Sequence, residues 1–182
     1  MTPAWSQDTG KRYFFEEIGW TITLPSNFKP LDSIENAKTN ERGLKAIQES
    51  NGLTVDMTQL KTLIAAHKDA YNYFNSTIRP FNSKVEGTYD SASKVVKDMM
   101  YKTFLDNIPS AKIDSVTTNE TIDGVLFDKF HVTITLTGNF IMNMILLSKY
   151  YKGYDFGISY LYLDEKTKEQ IELMLKNSKF KK

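Results

Sequence analysis

The sequence predicts an α+β fold: an antiparallel sheet covered by helices, opened by an N-terminal hairpin and closed by a C-terminal helix. Three observations predict it. Residues 125–163 read as three consecutive strands, and segments upstream and downstream carry apolar stripes of helical period. No glycine-rich first turn or repeated strand–helix crossover points to a parallel, doubly wound sheet.

In the first strand of this meander Phe130, Val132, Ile134 and Leu136 alternate with His131, Thr133, Thr135 and Thr137, the period of two of a half-buried strand. Gly138-Asn139 suits a tight hairpin, which returns the chain beside itself. The next strand, 140–150, is apolar on both faces and is expected inside the sheet. After a turn at Lys152-Gly153, the third strand sets Tyr154, Phe156, Ile158, Tyr160 and Tyr162 on one face. Val125 and Phe127 have the opposite parity to Phe130, so Asp128-Lys129 marks either a bulge or the point where the strand changes the side it buries. The uncharged run 130–148 is not a membrane span, because it alternates with threonine and is broken by Gly-Asn.

In chain order, residues 1–11 read as a flexible leader to one domain spanning 1–182. Residues 12–15 and 19–24 pair as a hairpin, with Glu16-Glu17 in the turn. Residues 31–49 are polar, with Gly43 amid weak apolar positions, and are expected as two short helices or a surface excursion that stops at Asn51-Gly52. A helix is expected from Asp56, boxed by Gln59, to about Ser76, with Leu60, Leu63, Ile64, His67, Tyr71 and Phe74 on one face. A linker then runs to Thr88. A second helix over about 91–107 buries Ala92, Val95, Val96, Met99, Met100, Phe104 and Ile108, and Pro109 ends it. Residues 112–118 form a shorter strand that leads through Asp123-Gly124 into the meander. Asp164 caps the last helix, which buries Ile171, Met174 and Leu175 and has Lys176 and Lys179 at its end. Lys176, Lys179, Lys181 and Lys182 form a solvated, frayed tail.

At 182 residues the chain is long enough for a substantial core. A formal charge of +1 and the lack of a compact Lys/Arg block argue against nucleic acid as a partner. The absence of cysteine excludes disulfides, thiolate catalysis and cysteine-ligated metals. The N-terminus has no basic region followed by an apolar core, so the sequence as it stands reads as cytoplasmic; a removed leader would make it periplasmic or lipid-anchored.

The segments GWTITLPSNFKPL (19–31) and GYDFGISYLYLDEKTKEQIELMLKNSKF (153–180) resemble the first hairpin and the last strand and helix of one superfamily. It is named after PsbP, an extrinsic photosystem protein, and the nuclear-transport protein that releases nucleotide from Ran. Bacterial members of undefined function, several of them exported or lipid-anchored, are the nearest in character. The resemblance implies the same order of elements and a non-enzymatic role, and it supplies no catalytic residue. The acidic patch of the Ran-binding relatives has no counterpart beyond the scattered Glu16, Glu17, Asp32, Glu35 and Glu41.

Few residues are candidates for chemistry. His67 and His131 are the two histidines. If the helix expected over 56–76 covered the threonine face of the meander, they could meet and, with Asp128 or Glu120, bind a metal or form a base with its orienting partner. The plainer reading, a local hydrogen bond for each, is preferred. No HExxH, Gly-x-Ser-x-Gly or other catalytic signature occurs, so no catalytic residue, metal ligand or cofactor is assigned. Tyr150, Tyr151, Tyr154 and Tyr160, with Trp20, are candidates for partner or ligand contact, because tyrosine joins an apolar body to a polar tip. Met99, Met100, Met142 and Met144 suit an adaptable core, or the lining of a cavity.

The preferred reading is a non-enzymatic binding or assembly module with a protein partner or a small apolar ligand, at the cell envelope if a leader precedes it. The alternatives are a small-molecule or lipid carrier, a small hydrolase or metal-dependent enzyme using His67 or His131, and a protein-inhibitory, immunity-like protein. Oligomeric state is left open.

Overall fold

The computed structural model describes residues 10–52 and 58–181. It opens with β1 (Lys11–Phe15), β2 (Trp20–Leu24), β3 (Lys29–Pro30), α1 (Ser33–Asn51), β4 (Lys61–His67) and β5 (Tyr73–Pro80). Then come α2 (Ser83–Glu86), α3 (Tyr89–Asn107), β6 (Lys112–Ile122) and β7 (Val125–Thr135). The chain closes with β8 (Ile141–Tyr151), β9 (Tyr154–Tyr162), α4 (Glu165–Asn177) and β10 (Lys179–Phe180). The strands form a three-stranded sheet, β1-β2-β10, and a seven-stranded sheet, β3-β4-β5-β9-β8-β7-β6. Every pairing is antiparallel.

The large sheet is covered on both faces. On one side Trp20, Ile22 and Leu24 of β2, Ile171, Met174 and Leu175 of α4, and Phe180 pack on Phe74, Phe127, Ile145, Phe156, Ile158 and Tyr160. On the other side Met100, Tyr101 and Phe104 of α3, with Ile108 just past its end, pack on Phe130, Val132, Ile134, Met142 and Met144. Helix α1 lies against α3, where the Asn51 side chain donates to Thr103 Oγ1 at 3.2 Å.

The three predicted strands of the meander are present, and β6 extends it to four. Two of the turns use the expected residues. Positive φ at Asp123 and Gly124, and again at Lys152 and Gly153, makes two-residue type I′ hairpins. Gly138 sits instead in a 3-10 turn, Thr137–Asn139, so that hairpin is wider than two residues. At Asp128-Lys129 no bulge occurs, because the β6–β7 register runs unbroken from Lys112–Thr135 to Ile122–Val125. The strand changes sides instead: Val125 and Phe127 join the small-sheet core, and Phe130, Val132 and Ile134 join the α3 core.

Five expectations are corrected. The helix expected over 56–76 is the hairpin β4–β5, and its proposed cap, Asp56, lies outside the described residues. Phe74, Ser76 and Ile78 are buried in alternation with Tyr73, Asn75 and Thr77, and Asp69 turns the chain by accepting from the N–H groups of Tyr71 and Asn72 at 2.9 Å. Residues 33–51 form one helix, not two. Asp32 and Glu35 make its capping box, Gly52 closes it with φ +64°, and Gly43 sits where a Cβ would meet nothing.

Helix α3 is rotated from the predicted face. Val95 and Val96 are exposed, while Ser93 is buried and Lys97 reaches Asp128 of β7 at 2.6 Å. The C-terminal lysines are not a frayed tail through 181: Lys179 belongs to β10 and not to α4, and Lys181 N–H donates to Gly19 O at 2.8 Å. Phe180 is the cause. Its ring lies 5.3 Å from Tyr151, 6.1 Å from Trp20 and Phe156, and 6.2 Å from Phe127. Lys11, assigned to the leader, already pairs with Leu24 in β1.

Candidate functional site

The register of β5, β9 and β8 places Arg79, Asp155 and Tyr150 in one cross-strand row on the α3 face. Beyond Pro80 the chain makes the single turn α2, whose cap Asn82 accepts from Lys84 N–H at 3.1 Å, and then enters α3 at Tyr89. This folds Phe81 and Tyr89 back over the end of the row. Phe81 stands edge-on to Tyr89 at 5.3 Å and to Tyr150 at 5.6 Å, and Tyr89 and Tyr150 are 5.9 Å apart, within the range of favourable ring pairs.

Charges fix this cluster from beneath. Asp155 Oδ2 accepts from Arg79 Nε at 3.1 Å, and its Oδ1 accepts from the Tyr89 hydroxyl at 2.8 Å. Arg79 Nη1 reaches Glu86 Oε2 at 2.6 Å, while Glu86 Oε1 accepts from Asn82 N–H at 3.1 Å. The guanidinium also lies over the Phe81 ring at 5.9 Å. Burial alone would push the Glu86 carboxyl up, but the Asn82 N–H and Arg79 outweigh it and hold it below its ordinary value. Burial, then the negative charge of Asp155, pushes the Tyr89 phenol upward. Both carboxylates are committed to Arg79. The arrangement therefore offers a rigid aromatic surface and no poised base or nucleophile. Tyr150, 47% exposed, is its outward face.

The other predicted residues fall elsewhere. Trp20 and Tyr160 are wholly buried in the small-sheet core. Tyr151 and Tyr154 pack against that same core, on the face opposite Tyr150, so these candidates do not share one contact surface. His131 Nε2 lies 2.9 Å from Asn143 Oδ1 and 3.4 Å from Thr133 Oγ1. His67 pairs across β4–β5 with Tyr73, on the α3 side. Met100, Met142 and Met144 fill the α3 core. One surface depression of about 540 Å³ lies between Arg12, Phe14, Thr21 and Lys179, a smaller one of about 200 Å³ lies between Tyr13, Asp32 and Leu63, and no methionine lines either. Among the described residues no three His, Cys, Asp or Glu side chains are placed to hold a metal, and no helix is long and apolar enough to cross a membrane.

Sequence reasoning found Tyr150 and missed Arg79, Phe81, Glu86, Tyr89 and Asp155. Residues 79–88 read as a linker, and only the β5–β9 pairing brings Arg79 to Asp155.

No protein-family model matches the chain, and no curated protein does. Among solved structures it is similar to the solution structure of cyanobacterial PsbP (CyanoP) from Synechocystis sp. PCC 6803. That likeness has a TM-score of 0.58 at 9% identity and covers 100% of this chain and 98% of the other. It is a likeness of fold: the chain is an α+β sandwich of PsbP-like arrangement, with the hairpin β1–β2 at its start and α4 near its end.

Proposed function

We propose that this chain is a non-enzymatic binding or assembly module that engages a protein partner through Tyr150, Phe81 and Tyr89. One observation carries the reading: a half-exposed tyrosine is braced by two rings that are themselves locked to an Arg–carboxylate network. Aromatic residues held in one conformation lose little entropy on binding and are the side chains on which interface energy concentrates. Val85, on the short helix α2 that also carries Glu86, is 81% exposed. The PsbP-like fold agrees with a scaffold that presents a surface.

Affinity capture from the source organism's own extract tests the reading. Tyr150→Ala should lower recovery of the captured partner by roughly tenfold or more, the loss expected for a central aromatic, and leave the melting temperature nearly unchanged. Phe14→Ala, at an exposed ring on β1, should leave recovery intact. Equal recovery by all three proteins would contradict the proposal.

A further inference from the structure

β6 is an edge of the large sheet and lacks several of the usual protections of an edge strand. It is 11 residues long. It contains no proline, its register with β7 has no bulge, and among the described residues no strand follows it in the sheet. Residues 114–119 are exposed, with Val116 at 53%. Asp114 and Glu120 bracket an uncharged stretch, Ser-Val-Thr-Thr-Asn, well suited to pairing.

The hairpin fixes which backbone groups face away from β7. In a two-residue type I′ turn the flanking pair, here Ile122–Val125, exchanges both hydrogen bonds. Alternation then turns the N–H and C=O of Ile113, Ser115, Thr117 and Asn119 away from β7. Tyr101 agrees with this phase, since its hydroxyl donates to the outward Ile113 O at 3.1 Å.

We infer that β6 pairs with β6 of a second copy about a two-fold axis at Val116, joining two seven-stranded sheets into one. A two-fold axis that sets antiparallel strands side by side keeps each face of the sheet on its own side. Centred on Val116, it places Ser115 opposite Thr117, an outward-facing pair able to exchange two hydrogen bonds, and Ile113 opposite Asn119, where the Ile113 carbonyl already accepts from Tyr101. On the α4 face Val116 meets its own copy, Asp114 meets Thr118, and Lys112 meets Glu120, so opposite charges close both ends. Moving the axis to Thr117 sets Asp114 against Glu120, and moving it to Ser115 leaves Lys112 opposite Thr118. The charges therefore select a second copy in one register. Among the described residues Lys112 is paired with the exposed Asp114, at 2.8 Å, and Glu120 also meets Lys129 of its own chain at 2.6 Å. This surface is separate from the aromatic cluster.

Sedimentation of the full chain tests the inference. The 20.9 kDa protein should double in mass with rising concentration. Val116→Lys and Lys112→Glu should each stay monomeric with unchanged circular dichroism, and Lys112→Glu combined with Glu120→Lys should dimerise again. The chain has no cysteine, so disulfide trapping is clean. Val116→Cys should oxidise to a covalent dimer much faster than Thr118→Cys, because residue 116 faces itself and residue 118 faces residue 114. A chain that stays monomeric at millimolar concentration would overturn the inference. So would a dimer indifferent to Val116→Lys, or equal trapping from positions 116 and 118.

Discussion

His67 and His131 stand on opposite faces of one sheet, in neighbouring cross-strand rows, with β5, β9 and β8 between their strands. His67 shares its row with Tyr73, Leu161, Met144 and Val132, whereas His131 shares its row with Ile145, Tyr160, Phe74 and Ala66. Four strand spacings put their backbones about 19 Å apart. Replacing both by glutamine should give additive stability losses, with a coupling below about 0.5 kcal/mol in a double-mutant cycle of denaturant melts. A shared metal or proton would appear as a larger coupling.

Arg79 holds two partly buried carboxylates, Asp155 and Glu86. Arg79→Met should destabilise the protein by roughly 1–3 kcal/mol at neutral pH, because the carboxylates are left without their cation. The pH dependence follows from Glu86, whose folded value lies below its ordinary one. The unfolded chain takes up that proton first, so the contribution is complete above about pH 4.3 and disappears as pH falls through the folded value. Melts in acid should therefore fall less steeply for Arg79→Met than for the parent chain.

Phe180 closes the aromatic core three residues beyond α4. Phe180→Ala should cost about 3–5 kcal/mol in chemical unfolding, the range for removing a buried phenyl ring. Lys181→Ala should cost almost nothing, because the bonds of Lys181 are made by its backbone, whose N–H donates to Gly19 and whose carbonyl accepts from Lys152.

Tyr160 is wholly buried, and its hydroxyl meets no partner among the described residues. Burial, then the negative charges of Glu120 and Glu172, pushes its phenol upward. The stability gained by keeping it neutral is complete below about pH 10 and is lost as pH rises beyond that value, where the unfolded chain ionises first. Tyr160→Phe should be neutral or stabilising by up to about 1 kcal/mol near pH 7. The parent chain should lose more melting temperature than this variant between about pH 9 and pH 11.

The meander was legible because most of each strand keeps one alternation and each of its three turns carries Gly at a positive-φ position. The capped helix α4 was legible for the same kind of local reason. The β4–β5 hairpin was hidden because Ile64, Ala65 and Ala66 are all buried. Covered on both faces, β4 lost the period of two and its flanking residues mimicked a helix. Helix α1 buries no residue, so it carries no stripe to read. The last four residues of β6 were missed because an exposed strand face has no reason to be apolar. The aromatic cluster could not be read at all beyond Tyr150, since Arg79 and Asp155 are 76 positions apart and a strand register joins them.

The most direct measurement places a photoreactive phenylalanine analogue at position 150 and irradiates the chain in its source organism's extract. A discrete protein adduct should form there, fade when Phe81→Ala releases the ring, and be absent when the analogue sits at exposed Leu173 on α4. No adduct at 150, or the same adducts from 150 and 173, would contradict a binding role for this surface.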